Sequence, residues 1–443
     1  MTFPKKIRFF FHLIIAVVKK QYRIIFLGLI LGISAFFILP KIYSRLPKPN
    51  KTVKIGFVGQ YLINNIPLSI LQEISYGLTT VSEKGEPLPA LAEKWSVLDE
   101  GKTYVFKVNT GKIFWHDRKE FSPLDINYNF NDIEFSANGD SLVFKLKEPF
   151  SPLPVVLSKP LFRKGLIGLG KYKVKKIKSS GKFINSILLV PNNEPSLTDR
   201  LYRFYNNEND LKIAFNLGEV NTIKDIFNLD GLFLGSLAKV TPTIITNAYI
   251  GLFFNTTNPP FSNKSFRQAL AYAIPKESGG KRVLTPLNPA SWVYNPDVKP
   301  YNQDFQHSNK LLENEVIDKN LKINILSFPQ FEDIANQVRD SWKQIGINSE
   351  VKIISVVPED FEVLIIAREI PKDPDQYYFW HSTQAGNISN FKNLRLDKLL
   401  EDGRRTTNTE ERKDIYFDFQ RFLVEESPVV FLSHPVVYNI SRR

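Results

Sequence analysis

Apolar and polar positions alternate with a two-residue period in several stretches of the first half of the chain. Gly101–Gly111, GKTYVFKVNTG, puts Tyr104, Phe106 and Val108 on one face. This predicts a half-buried strand between two glycine turns. SLVFKLKEP (Ser141–Pro149) alternates in the same way, and residues 171–190 predict further strands. TVKIGFVG (Thr52–Gly59) reads as a strand bounded by turn residues, and residues 68–78 have the apolar spacing of a short helix. The texture changes near Thr246. AYIGLFFNT (Ala248–Thr256) is a continuous apolar run, the pattern of a strand buried on both faces. SFRQALAYAI (Ser265–Ile274) predicts a helix stopped by Pro275. LKINILSF (Leu321–Phe328) predicts a strand. The helix after it sets Ile334, Val338, Trp342 and Ile345 on one face, with Gly346 closing it. EVKIISVV (Glu350–Val357) and FEVLIIA (Phe361–Ala367) predict two more strands. Strand, helix, strand at this spacing is a βαβ unit, so a parallel sheet is expected. DKLLEDGRRT and the Thr409–Glu426 stretch close the region as helices. A strand-rich half followed by an α/β half predicts two unlike lobes with a cleft between them, the usual place for a small ligand.

The N-terminus has a different pattern. IIFLGLILGISAFFIL (Ile24–Leu39) is sixteen residues without a charge, flanked by Tyr22 and Tyr43. A helix over Tyr22–Tyr43 spans roughly 30 Å of hydrocarbon. FFFHLIIAVV (Phe9–Val18) is too short to cross and suits the membrane interface. Six cations precede the long run and five follow it closely, a bias toward an N-terminus inside. A cleaved signal peptide is the rival reading. No small-x-small site follows the run, which ends in Pro40, and that favours a retained anchor. The expected location is the cell membrane, single-pass, with the bulk of the chain extracytoplasmic.

Charge and chemistry narrow the function. The chain has 443 residues and a net charge of +13. Residues 1–50 carry nine Lys or Arg and no acid, leaving +4 for the other 393 residues, so nucleic acid is not an expected partner. Cysteine is absent, which excludes thiol catalysis, disulfides and thiolate metal sites. GxSxG, HExxH and GxxxxGK[ST] are absent, and no nucleophile–base pair stands out, so an enzyme is not expected. GLIGLG (Gly165–Gly170) reads as a plain loop. The five histidines lack ligand spacing, so neither a metal nor a cofactor is expected. Trp115, Trp292 and Trp380 fall on loops, where an aromatic more often meets a ligand, whereas Trp95 and Trp342 read as core.

Several stretches resemble, in collinear order, the extracellular solute-binding proteins of family 5, which bind peptides and other solutes for ABC importers. They are Tyr76–Asp117, FSPLDINYNF (Phe121–Phe130), LFFNTTNPPFSNKSFRQALAYAI (Leu252–Ile274), WKQIGINSEV (Trp342–Val351), DPDQYYFWHSTQ (Asp373–Gln384) and Leu396–Pro435. The resemblance implies an α/β (α+β), two-lobed periplasmic-binding-protein-like fold with an inserted subdomain, here preceded by one transmembrane helix. It divides the chain into 1–50 (cytoplasmic N-terminus, anchor and tether), 51–245 (lobe one, with the insertion at about 73–159), 246–426 (lobe two) and 427–443 (return to lobe one). The implied partners are a peptide or other small solute and an ABC permease. The implied ligand-binding residues are Trp115, His116, Trp292, Arg368, Glu369, Asp373, Tyr378, Trp380, His381 and Asn387, with the backbone of Leu364–Ala367 offering a ladder to an extended peptide. Peptide-binding members hold the ligand's α-amine with an Asp a few residues before the D-P turn; that place here is near Ile370. A non-transporting sensor or scaffold with a degenerate cleft is the alternative.

Overall fold

The computed structural model describes residues 18–23, 26–28, 32, 34, 36 and 52–442, except 110, 127, 129, 131, 237, 277–279, 314 and 316–320. The chain divides into two units, Met1–Lys51 and Thr52–Arg443, and all the sheets belong to the second. The expected membrane segment, Tyr22–Tyr43, lies largely outside the described residues. Among those described, no helix is long and apolar enough to cross a membrane.

The first lobe is a seven-stranded mixed sheet. Its strands run in the order Ala238–Ile244, Val436–Arg442, Thr222–Ile226, Val53–Val58, Arg200–Tyr205, Phe183–Pro191 and Tyr172–Ser180. Val53–Val58 is parallel to both of its neighbours. Helix Leu68–Ile74 seals one face, burying Ile70 and Ile74 with Ile55, Ile187 and Tyr202. The helix expected over 68–78 stops at Ile74. Ser75 is extended, and at Gly77 a side chain would run into the Leu157 carbonyl. Helix Glu208–Asn216 packs Leu211 and Phe215 with Val220 and Ile223 in a separate core. The Asn207 side chain caps it, accepting from the Asp210 amide at 2.9 Å.

The insertion is a four-stranded antiparallel sheet, in the order Ala92–Leu98, Thr103–Val108, Ser141–Leu146, Ile133–Asn138, with a small hairpin of Thr79–Val81 and Pro87–Pro89. Its core gathers Tyr104, Phe106, Trp115, Phe144, Leu153 and Leu157.

The second lobe has a five-stranded sheet, in the order Asn348–Ile353, Lys322–Ser327, Val363–Glu369, Ala248–Phe254, Val429–Phe431. Lys322–Ser327, helix Glu332–Gln344 and Asn348–Ile353 form the expected parallel βαβ unit. Val338 and Trp342 are fully buried on the helix face that the spacing predicts, and Gly346, at φ +77°, turns the chain out of it. Ala248–Phe254 is a central strand, which explains its unbroken apolar run. The strand Val363–Glu369 is paired on both sides. The pairing with Lys322–Ser327 ends at Ile365, so of the ladder expected at Leu364–Ala367 the residues Leu364 and Ile365 are paired on both sides, while Ile366 and Ala367 pair with Ala248–Phe254 alone.

The chain passes twice between the lobes, at 245–247 and at 432–435. The two passages are laced together: Ile245 N donates to Pro435 O at 2.9 Å, and Ile250 N donates to Ser433 O at 2.8 Å. The return expected from residue 427 comes later, because Val429–Phe431 still pairs with Ala248–Phe254 and the first lobe is regained at Val436.

Candidate functional site

Two cavities lie where the insertion meets the second lobe. The smaller, about 320 Å³, is walled by Trp95, Val97 and Tyr104 of the four-stranded sheet and by Trp292, Asp373, Thr407 and Arg412 of the second lobe. The larger, about 470 Å³, lies between the turn Ser82–Gly85 and Asn247, Asn288, Ser291, Ile370 and Lys372. Both volumes fall in the range of small-molecule sites.

Strand alternation builds the insertion's side. Trp95 and Val97 are two residues apart and so share a face, and Trp95 stacks on Phe106 with ring centroids 5.7 Å apart. The hairpin turn reaches across to the second lobe, where Trp292 N donates to Lys84 O at 3.3 Å. Gly85 is at φ +84°, and a Cβ there would stand 2.4 Å from Lys372 O. Only glycine allows both the turn and this approach. A second contact ties Ser151 to the end of helix Leu394–Arg405: its amide donates to Arg404 O at 2.9 Å.

The second lobe's wall is organised by a buried ion pair. Arg412 donates through Nη2 and Nη1 to the two Asp373 oxygens at 2.5 and 3.2 Å, and through Nε to Gly403 O at 2.8 Å. Asp373 Oδ1 also accepts from the Asp375 amide at 2.9 Å, which shapes the D-P-D turn. Burial alone would lower the Arg412 guanidinium; the Asp373 carboxylate reverses that and leaves it above its ordinary value. Tyr104 faces this pair. Burial pushes its phenol up to about 12, with Arg412 opposing the rise and Asp373 adding to it.

The structure distributes the ten expected ligand residues unequally. Trp292 and Asp373 line the smaller cavity. Trp115 is core: its indole donates to Asp125 at 3.0 Å and its ring packs on Phe121. His116 bridges two loops, donating from Nε2 to Gly170 O at 3.0 Å and accepting at Nδ1 from the Gly168 amide at 3.3 Å. Burial lowers its pKa. The Gly165–Gly170 stretch is therefore the loop it reads as, with Gly168 and Gly170 pressed on the backbone of 73–74. Arg368 donates twice to Gly386 O and covers the Phe379 ring at 4.6 Å; burial lowers its guanidinium. Glu369 ends its strand exposed, and Tyr378 is exposed beside Phe379. Trp380 is buried in the second lobe's core, stacked on Phe253. His381 stacks on Tyr377 and bonds Thr383, and Asn387 bonds Phe391 at 2.7 Å. Both fix the loop that follows DPDQYYFW.

Trp95, Tyr104 and Arg412 are site residues that sequence reasoning missed. Trp95 does pack against the insertion's core, as its sequence context predicts, but its half-buried ring also forms part of the cavity wall beside Val97. Arg412 gave no local signal, because its partner lies 39 residues away.

The model of the bacterial extracellular solute-binding proteins, family 5 Middle, matches residues 136–390, more than half of the chain. The chain belongs to this family. Curated relatives of it include the oligopeptide-binding protein AppA of Bacillus subtilis (strain 168), 25% identical over 88% of this chain and 87% of its own, and the dipeptide-binding protein of Escherichia coli (strain K12), 21% identical over 86% of each. Among solved structures, NikZ from Campylobacter jejuni in complex with Ni(L-His) superposes with a TM-score of 0.75 at 22% identity, covering 89% of this chain and 95% of that one. The two-lobed α/β architecture is thus that of a family of binding proteins.

Proposed function

We propose that this chain is an extracytoplasmic, membrane-anchored solute-binding protein that delivers a peptide or peptide-like solute to an ABC importer. One observation carries the reading: in a chain of this family, an aromatic-walled cavity and a second, larger one without aromatic walls sit between the insertion and the second lobe. Trp95, Tyr104 and Trp292 offer ring faces, and the turn Ser82–Gly85 supplies backbone groups. The named relatives that bind oligopeptides and dipeptides support the solute class. The lobes follow the sheets, with the insertion at about 73–159 and the passages near 245 and 435 acting as the hinge. The anchor is the apolar run Ile24–Leu39. The chain binds without making bonds.

A second reading, a sensor or scaffold with a degenerate cleft, is favoured by Ile370. That residue is buried beside the larger cavity where an amine-holding Asp stands in peptide-binding members of the family. Native mass spectrometry of the purified chain, then melting curves with di- to pentapeptide pools, separates the two. A solute present at a hundred times its Kd stabilises the folded state by about 2.7 kcal/mol and raises Tm. A co-purified peptide and a shift support delivery; no ligand and no shift with any pool support the scaffold.

A further inference from the structure

The net charge of the chain hides two blocks. Residues 1–50 hold nine cations, and residues 149–193 hold nine more with no Asp or Glu among them, so the rest of the chain sums to −5. The small surplus outside the N-terminus is therefore a concentrated patch set against a mildly acidic remainder. Six of the second block, Lys171, Lys173, Lys175, Lys176, Lys178 and Lys182, belong to the hairpin of Tyr172–Ser180 and Phe183–Pro191. Tyr172–Ser180 is an edge of the seven-stranded sheet. The register shifts between Val174 and Lys176. That bulge keeps Tyr172, Val174 and Ile177 on the core and leaves Lys175, Lys176 and Lys178 exposed together. Arg163 of the same block is paired with Asp117 and Asp125. Among the described residues no ion pair joins the six lysines to a carboxylate. Asp210 and Glu219 line the groove beside Lys178, but Glu219 is paired with Arg203.

One or two charges suffice to keep a sheet edge from pairing with another chain. Six unmatched lysines along one edge exceed that need. We infer that this hairpin edge docks on an anionic lipid bilayer. Charge complementarity is the first argument. Lysine without arginine, and without an exposed aromatic to stack a base, suits a diffuse anionic surface better than nucleic acid. Chain length is the second. Twelve residues separate Leu39 from Thr52, a reach of at most about 40 Å. This second argument rests on the anchoring proposed above. Held that close, each lysine near the surface shifts the docked-to-free ratio roughly fivefold.

The chain lacks cysteine, so the full-length protein carrying Ser180→Cys accepts a single environment-sensitive fluorophore at the hairpin. It is reconstituted in phosphatidylcholine vesicles, with and without about a third phosphatidylglycerol. The expected result is a blue-shifted, brighter label in the anionic vesicles only. High salt should abolish the change. K175E/K176E/K178E should lower the docked-to-free ratio by roughly a hundredfold or more. Equal emission in both lipids, or an unchanged response in the triple variant, overturns the inference. So does lysine-dependent binding of a labelled oligonucleotide without a lipid response, which assigns the face to nucleic acid. Alkaline extraction of the same vesicles reads the anchor separately: a chain that washes off, yet whose label still responds to added anionic vesicles, refutes the anchoring alone.

Discussion

Asp373 invites a test of whether it serves the fold or the ligand. In Asp373→Ala, two guanidinium N–H groups of a buried arginine lose their acceptors, as does the Asp375 amide. Removing one partner of a buried ion pair costs about 3–5 kcal/mol, and the lost turn hydrogen bond adds about 1 kcal/mol. Asp373→Asn keeps an oxygen for Asp375 and should fall at the lower end. The double variant D373L/R412M removes both charges and fills the space with apolar atoms, so it should return to within about 2 kcal/mol of the parent. Equilibrium urea unfolding measures these proteins together with the singles D373L and R412M, and the cycle of parent, D373L, R412M and D373L/R412M isolates the pair term. A single-variant loss below about 1 kcal/mol, or a double variant as costly as the sum of the singles, refutes the structural role. Solute binding lost in Asp373→Asn at unchanged stability would return Asp373 to the ligand.

Three further outcomes follow from named contacts. Gly85→Ala forces a Cβ onto Lys372 O at an unfavourable φ; it should cost about 1 kcal/mol or more and raise hydrogen exchange at residues 82–86 in mass spectrometry, and unchanged exchange there would argue against the hairpin as a clasp. Lys276, buried at the end of helix Lys264–Ala273 with its amine donating to Ile274 O at 2.7 Å, is lowered to about 7 by burial, with Arg282 adding to the fall. The unfolded lysine keeps its proton until near 10.5, so its folded-state contribution is lost as pH falls from there to about 7; the stability of the parent relative to Lys276→Met should rise with pH across that window, by at most about 1.4 kcal/mol per unit, and a flat difference contradicts this. With Ile370 at the edge of the larger cavity, capture does not rest on a free amine, so a binding peptide and its N-acetylated form should have calorimetric Kd values within about threefold, a difference of under 1 kcal/mol; a hundredfold preference for the free amine would show that another acceptor takes the missing role.

Much of the architecture was legible because periodicity and burial coincide. Tyr104, Phe106 and Val108 alternate inward along one strand, and Val338 and Trp342 mark one helix stripe. The Ala248–Phe254 run is apolar throughout because neighbouring strands and packed side chains cover it on every side. The site was less legible, because its walls come from distant stretches. Trp95, Trp292 and Arg412 meet only in the folded chain. Trp115 and Trp380 stand in irregular or single-turn segments, but those segments fold onto the cores, and the rings go in with them. Charge misled for another reason: a sum over 393 residues averages the lysine-rich hairpin away.

Closure of the first lobe, with its insertion, and the second lobe around a small solute can be measured directly. Two exposed positions, Ser196 in the first lobe and Ser355 in the second, can each carry a spin label as the only cysteines in the chain. Pulsed electron resonance then gives the interlobe distance with and without a peptide that shifts Tm. Without solute a single longer distance, or a broad distribution, is expected, collapsing to one shorter distance when solute is added. A distribution unchanged at saturating solute would contradict it.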